Sequence, residues 1–427
     1  MQTSKPTFTR YQVFVIAILT FLQFTVVLDF MILSPLSAIL LEELDITTSQ
    51  FGWVVSAYAF SAGASALLAS GFADRFDRKK LLLFFYSGFV LGTLFCGLAP
   101  SYHWLLAARI ITGIFGGVMN SIVFAIITDL FVLQKRGRVM GFVQMAFASS
   151  QILGIPFGIY LANHWGWHFP FLLIVGVSLV VGVFIVLFLK PIDEHLKLQT
   201  RQNPFRHMLK TLGNKRYLRG FSATVFLATG GFMLMPFGAA FAVNNLGISM
   251  DKLPLIYMFP GITSMILGPI AGKLSDSFGK FRIFMIASLI AGAAILVYCN
   301  LGTTPLWIVI ALNIILFVGI TGRIVSSQAL ITAVPEAKDR GSFMSVNSAV
   351  MQISGGIASA IAGMIVFQDP SGFIHNYPML GYVVGVTVLI TIGLMFMINR
   401  MVFSNQTDNV ADKTEKTDPQ KVMLKEA

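Results

Sequence analysis

The stretch SGFADRFDRKK, from Ser70 to Lys80, is echoed about two hundred residues later by GKLSDSFGK, from Gly272 to Lys280, and each copy lies between two long apolar segments. The offset persists along the chain. Asp74 and Asp276 are 202 residues apart, Cys96 and Cys299 203, Trp104 and Trp307 203, and Arg136-Gly137 and Arg340-Gly341 204. A register held through three successive segments marks an internal duplication. The sequence therefore reads as a duplicated membrane protein whose halves can move against each other.

Of the 427 residues, 56% are hydrophobic and 11% charged, against about 25% charged in a soluble domain. A hydrocarbon core about 30 Å thick takes about 20 apolar residues in a helix. On that basis twelve spans are predicted, at 11–40, 51–73, 81–99, 102–130, 138–162, 168–190, 218–245, 253–275, 281–300, 304–331, 341–367 and 378–402. The expected fold is an all-α integral membrane protein with twelve transmembrane helices in two pseudo-symmetric six-helix bundles. The N-terminal bundle covers 11–190 and the C-terminal bundle 218–402. A charged linker, 191–217, joins them, with a short N-terminus at 1–10 and a polar tail at 403–427 that reads as disordered.

Charge sets the expected orientation, because Lys and Arg are retained on the cytoplasmic side. All but three of the 30 Lys and Arg residues fall at the N-terminus, in alternate loops and their flanks, or in the C-terminal tail; Arg109 and Arg323 lie within spans and Lys252 faces the other side. Both termini are thus expected in the cytoplasm, and the protein in a bacterial inner membrane. The net charge of +11 follows from this topology and from attraction to anionic lipid, and nucleic acid is not an expected partner. The N-terminus, MQTSKPTFTR, leads into the first span without a small-residue cleavage site, so it reads as a first helix and not as a removed signal. The two cysteines, both within spans, are read as packing residues. No His/Cys metal cluster, phosphate-binding glycine loop or nucleophile elbow is present, so neither an enzyme nor a cofactor nor a metal is expected.

Twelve spans in two sixes, with a basic motif after the second and the eighth, resemble the major facilitator superfamily over residues 10–402. Within it the chain is similar to the twelve-span bacterial drug:proton antiporters, near the sugar and nucleoside efflux branch. The motif after span two reads G-x-x-x-D-R-x-G-R-[KR]-[KR] in that family. Asp74, Arg75, Arg78, Lys79 and Lys80 match it, whereas Ser70 and Asp77 replace two glycines and Gly71 lies next door. The resemblance implies a conformational latch of Gly71, Asp74, Arg75 and Arg78 with Asp129 at the end of span four and Asp276 in the second copy. Asp74 would sit against a helix N-terminus of the opposite half, Arg78 would pair with Asp129, and the latch would hold the cytoplasmic side closed. The other reading is that these charges only set topology.

Two more patterns carry the likeness. Arg109 and Gly113 match R-x-x-x-G in span four, and a cation about 10 Å deep in a membrane is usually paired or functional. Asp29 in span one is its natural partner by depth, and the pair is the candidate for proton coupling. Asp29 is the only acid well inside a span, and separation from Arg109 would let it take up a proton. The alternative is a static salt bridge between spans one and four. In span five, Gly154, Pro156 and Gly158, followed by Gly166-Trp167, resemble the helix-bend motif of antiporters and of the sugar and nucleoside exporters. Proline permits a bend, and glycines four apart permit close helix approach.

Polar side chains within spans form the candidate substrate cavity: Gln23, Asn120, Gln144, Gln151, Asn244, Arg323, Gln328, Asn347 and Gln352. Each is equally readable as interhelical glue. The function these features imply is proton-coupled export of drug-like compounds or metabolites by a monomer, with a small-molecule substrate, protons and the lipid bilayer as partners. Sugar or nucleoside export and proton symport for uptake are the transport alternatives. A non-transporting receptor or scaffold on the same fold is the reading from another class.

Overall fold

The computed structural model describes residues 8–69, 75–193, 196, 210–336 and 339–417. Among the described residues, twelve helices are long and apolar enough to cross a membrane: α1 (Arg10–Ile32), α2 (Thr48–Ala69), α3 (Arg78–Gly97), α4 (Tyr102–Leu130), α5 (Lys135–Trp165), α6 (His168–Phe188), α7 (Lys215–Asn244), α8 (Met250–Phe278), α9 (Lys280–Cys299), α10 (Leu306–Ile331), α11 (Arg340–Ile365) and α12 (Tyr377–Val402). With no water in the bilayer core, a helix satisfies its backbone groups within itself, which is why each apolar run becomes one.

Local chemistry sets the helix ends. Thr9 and Gln12 form a capping box at the start of α1. The Asp77 carboxylate, standing where the resembled motif has glycine, caps α3 by accepting from Lys80 N at 2.9 Å and also holds Ile192 N at 3.0 Å. Gly279, at φ +96°, makes the sharp corner between α8 and α9 that a residue with a Cβ would enter only under strain.

Two predicted spans are interrupted. The first was expected as one helix over 11–40, but it breaks after Ile32 and resumes as a short helix, Ser37–Glu43. Pro35 lies in the break, where it lacks the donor that a continuous helix needs. Span seven breaks in the same way after Phe232, with a 3₁₀ turn at Met235–Phe237 that contains Pro236. At the other end of the chain, the helix that begins at Tyr377 continues to Thr417, past the point where the polar tail was expected to start.

The cores show how the halves meet. At the end opposite the termini one apolar cluster runs across both halves, joining Leu33, Leu40 and Phe51 to Phe237, Phe241 and Leu253. At the end carrying the termini the cores are separate. Leu19, Phe89 and Ile122 belong to one; Tyr217, Phe284 and Phe343 belong to the other, against which Leu67 also packs.

Small residues let α2 and α11 touch along much of their length. A Cβ on Gly52 would lie 2.9 Å from Ser359 O, and Ser56 Oγ donates to Gly356 O at 2.7 Å. Between α11 and α12 a two-residue hairpin pairs β1 (Phe367–Gln368) with β2 (Ile374–His375).

Candidate functional site

Asp29 and Arg109 meet in the first half, both buried, at 0% and 1% exposure. Asp29 lies three residues from the end of α1, and Arg109 lies two turns into α4. Their helices run in opposite directions, so the two positions fall at one depth, near the sealed end. Arg109 Nη1 donates to Asp29 Oδ2 at 2.9 Å, and Thr93 Oγ1 on α3 donates to Asp29 Oδ1 at 3.1 Å. Both carboxylate oxygens are therefore engaged, while Arg109 Nε has no partner among the described residues.

The arginine is held from a third side. Its guanidinium carbon lies 4.4 Å from the centre of the Tyr58 ring on α2, a cation–π contact strengthened by desolvation. Gly113 lets α2 come that close: a Cβ there would collide with Ser61 Oγ and lie 2.5 Å from Tyr58 O. Tyr58 meets Phe30 at 5.4 Å between ring centres, and Phe30 meets Phe232 of the second half at 5.7 Å. A column of side chains thus runs from the buried ion pair to the interface between halves.

Tyr58, Thr93, Phe30 and Phe232 are absent from the sequence-derived site. An aromatic or hydroxyl residue in an apolar helix is ordinary, so Tyr58 and Thr93 carry no signal of their own. Phe30 and Phe232 do, because they are 202 residues apart, the spacing of the repeat.

The span-five motif sits at a real irregularity. A π-helical turn at Ser150–Gly154 precedes Ile155–Trp165, with Pro156 in the first turn of that segment. The wider turn accommodates the missing proline donor. Cβ atoms on Gly154 and Gly158 would lie 2.6 Å from Leu28 Cδ1 and 2.5 Å from Ile32 Cδ1, so the motif seats α5 directly on α1.

The remaining candidates scatter. Gln23 and Gln151 are buried, each with its Oε1 unpartnered among the described residues. Asn347 accepts from Thr224 Oγ1 at 2.6 Å, an interhelical bond between α11 and α7. Asn120, Gln144 and Gln328 are exposed, and Gln352 is half-buried beside Gly63. Asn244 stands apart at the sealed end, where its carboxamide nitrogen lies 3.6 Å from the position a Gly372 Cβ would take. Arg323 is buried on α10, its guanidinium 6.0 Å from the centre of the Phe284 ring.

Of the latch residues, Arg78 Nε and Asp129 Oδ2 are 3.0 Å apart, with Arg78 nearly buried. Arg75 and Asp276 are exposed, and Gly71 and Asp74 lie outside the described residues. Arg136 adds a contact the sequence did not suggest: its guanidinium donates to Thr128 O and Phe131 O at 2.7 and 2.8 Å, capping the end of α4.

The family model described as Major Facilitator Superfamily matches residues 19–324 and 220–425. An uncharacterized MFS-type transporter, YceJ, of Bacillus subtilis (strain 168) is 25% identical over 371 residues, 86% of this chain and 91% of its own length. Multidrug resistance protein 3 of the same strain is 32% identical over 148 residues, 35% of this chain and 29% of its own. Among solved structures, a bacterial homolog of the human lysosomal transporter Spinster, inward-facing and unoccupied, aligns with a TM-score of 0.76 at 16% identity, covering 93% of this chain and 99% of that one. The nucleoside transporter NupG aligns with a TM-score of 0.73 at 11% identity, over 90% and 98% of the two chains. At these identities the structural likeness concerns the fold.

Proposed function

The chain belongs to the major facilitator superfamily, and from that premise we propose that this membrane transporter exports small organic molecules in exchange for protons by alternating access of its two halves. Transporters of this superfamily are not enzymes, and no catalytic group is assigned. The observation that carries the reading is the buried Asp29–Arg109 pair, linked through Tyr58 and Phe30 to Phe232 of the other half.

The distribution of Lys and Arg supports cytoplasmic termini, and the membrane is taken to be a bacterial inner membrane. The sealed end is then the outer one, and the conformation described faces inward. When the halves rock, α7 moves relative to α1, and Phe232 carries that motion to Phe30 and Tyr58. Tyr58 braces the guanidinium, so a shift of this column parts Arg109 from Asp29. A proton arriving from outside then takes the place of the guanidinium on the carboxylate. Return to the inward-facing state restores the ion pair and expels the proton to the cytoplasm.

The Arg78–Asp129 pair, already formed in this conformation, fixes the start of α3 against the end of α4, and Asp74 is the residue that would latch the cytoplasmic side closed in the opposite state. Export is favoured over symport by the π-turn and proline of α5, which bring the motif shared with antiporters onto α1 beside Leu28, one residue from Asp29. Similarity to a multidrug resistance protein over 148 residues supports drug-like compounds as substrates.

The test is substrate-induced proton release from inside-out vesicles holding a pH gradient, with lipophilic cations, neutral antibiotics, sugars and nucleosides on wild type and Asp29→Asn. A response present in wild type and absent in the variant supports proton antiport and names the substrate class. Uphill efflux by Asp29→Asn against a full gradient would falsify the role of the carboxylate.

A further inference from the structure

Arg323 is the buried cation that the proton mechanism leaves unused. It lies eight residues before the end of α10, about 12 Å along the helix, yet is only 7% exposed. Its Nε and Nη2 have no hydrogen-bond partner among the described residues. The Phe284 face beneath it is a weak substitute for an acid, and an unpaired cation at this depth is costly.

Three buried hydroxyls on α10 and the two helices packed against it are also without partners among the described residues: Ser326 on α10, Ser288 on α9 and Ser275 on α8. Ser326 follows Arg323 by three residues, and Ser288 follows Phe284 by four, so each shares a helix face with the residue it follows. The backbones converge here. A Cβ on Gly322 would lie 2.8 Å from Ala287 Cβ, and one on Gly272, three residues before Ser275, would lie 4.0 Å from Val325. Serine in a helix commonly turns back to a carbonyl of the preceding turn, but these three do not. Asp276, next to Ser275 in sequence, is exposed. The group therefore offers one fixed positive charge and several hydroxyl donors, a set suited to an oxyanion.

We infer that Arg323, with Ser275, Ser288 and Ser326, forms an oxyanion-binding site between α8, α9 and α10, and that the transported molecule carries the carboxylate or phosphate group it holds. The substrate assignment rests on the transport reading above; the site itself does not. An anionic lipid headgroup offers the same chemistry, but the depth of Arg323 along α10 favours a small molecule.

The experiment uses the full-length protein in phosphatidylcholine nanodiscs. Thermal unfolding is followed while benzoate, its neutral counterpart benzamide, and inorganic phosphate are titrated. In wild type, benzoate or phosphate raises the unfolding temperature saturably and benzamide does not. Arg323→Gln weakens the effect about tenfold or more, since hydrogen bonds to a charged group carry it. Arg323→Lys keeps an intermediate affinity, and Ser326→Ala loses a few-fold. Because Arg323→Gln removes an unpaired buried charge, it should melt no lower than wild type, so a lost response is not a folding failure.

Equal benzoate responses in wild type and Arg323→Gln, or a benzamide response that matches benzoate, overturn the site. Arg323-dependent stabilisation by phosphatidylglycerol nanodiscs, with none by benzoate or phosphate, assigns the oxyanion to lipid and overturns the substrate claim. Arg323-dependent benzoate binding without proton release in the vesicle assay leaves the site standing and sinks the transport reading. Proton release driven only by neutral compounds leaves the transport reading standing and overturns the claim that the transported molecule carries the anionic group.

Discussion

Phe30 and Phe232 occupy corresponding positions in the first helices of the two halves, and their rings meet at 5.7 Å across the interface. Beside them the two helix breaks pack together, with Ser34 Oγ donating to Met235 O and Ser37 Oγ accepting from Ala240 N at 3.2 Å. Pro35 and Pro236 stand 201 residues apart, so each half contributes the same kink to one seal. A pair of aromatic rings adds about 0.5–1.5 kcal/mol beyond its buried area, enough to bias a two-state equilibrium. Phe232→Ala should therefore raise the population open at this end about two- to tenfold. Labelling of Met235→Cys by a membrane-impermeant thiol reagent measures it, against the low background of the buried Cys96 and Cys299. An unchanged labelling rate would remove Phe232 from the seal.

The Asp29–Arg109 pair makes an asymmetric prediction. Arg109→Gln leaves a buried carboxylate without its cation and should cost about 3–5 kcal/mol, seen as a lower unfolding temperature in detergent. Asp29→Asn combined with Arg109→Gln should recover much of that loss, because no buried charge then remains. Equal melting of the single and double variants would show that the two residues do not act as a pair.

Gly113 is a steric requirement. Gly113→Ala places a methyl against Ser61 and the Tyr58 carbonyl, and overpacking of this kind costs about 1–3 kcal/mol. Gly137→Ala, which meets nothing within 4 Å on α5, should stabilise slightly, by about 0.5–1 kcal/mol. Thermal unfolding of both variants compares the close approach of two helices with simple helix propensity.

The hairpin between α11 and α12 should respond to acid. Hydrogen bonds from Ser371 and the His375 ring hold the Asp369 carboxyl down at about 2. Because the folded value lies below the ordinary carboxylate value, the contribution is complete above about pH 4 and is lost as pH falls through about 2. Amide protection at Phe367–Ile374, corrected for intrinsic exchange, should stay constant from pH 6 to 4 and drop below that. In Asp369→Asn it should be low throughout; protection in that variant equal to wild type at pH 6 would reject the role of the carboxylate.

Much of this protein was legible before folding. The repeat at Ser70–Lys80 and Gly272–Lys280 announced two halves, and apolar run length placed twelve helices. The position of Asp29 and Arg109 along oppositely directed spans pointed to one depth for both. Pro35 and Pro236 were visible as residues, yet run length overrode them, since membrane helices tolerate proline where neighbouring groups satisfy the freed backbone. The third-side support of Arg109 by Tyr58 had no sequence signature, because its meaning depends on which helix packs beside α4.

Sequence alone determined what acts within one helix or through the bilayer: span length, cap chemistry, the charge pattern and the repeat. These follow from the local cost of exposing backbone or charge to hydrocarbon, and each can be evaluated residue by residue. Only the tertiary structure decided which end is sealed, that Phe30 meets its counterpart Phe232, and that Arg323 is buried over Phe284 with Nε and Nη2 unpartnered among the described residues. Those facts depend on how two similar bundles pack, and in a bilayer packing turns on close steric fit between helices rather than on hydrophobicity, which lipid and protein share.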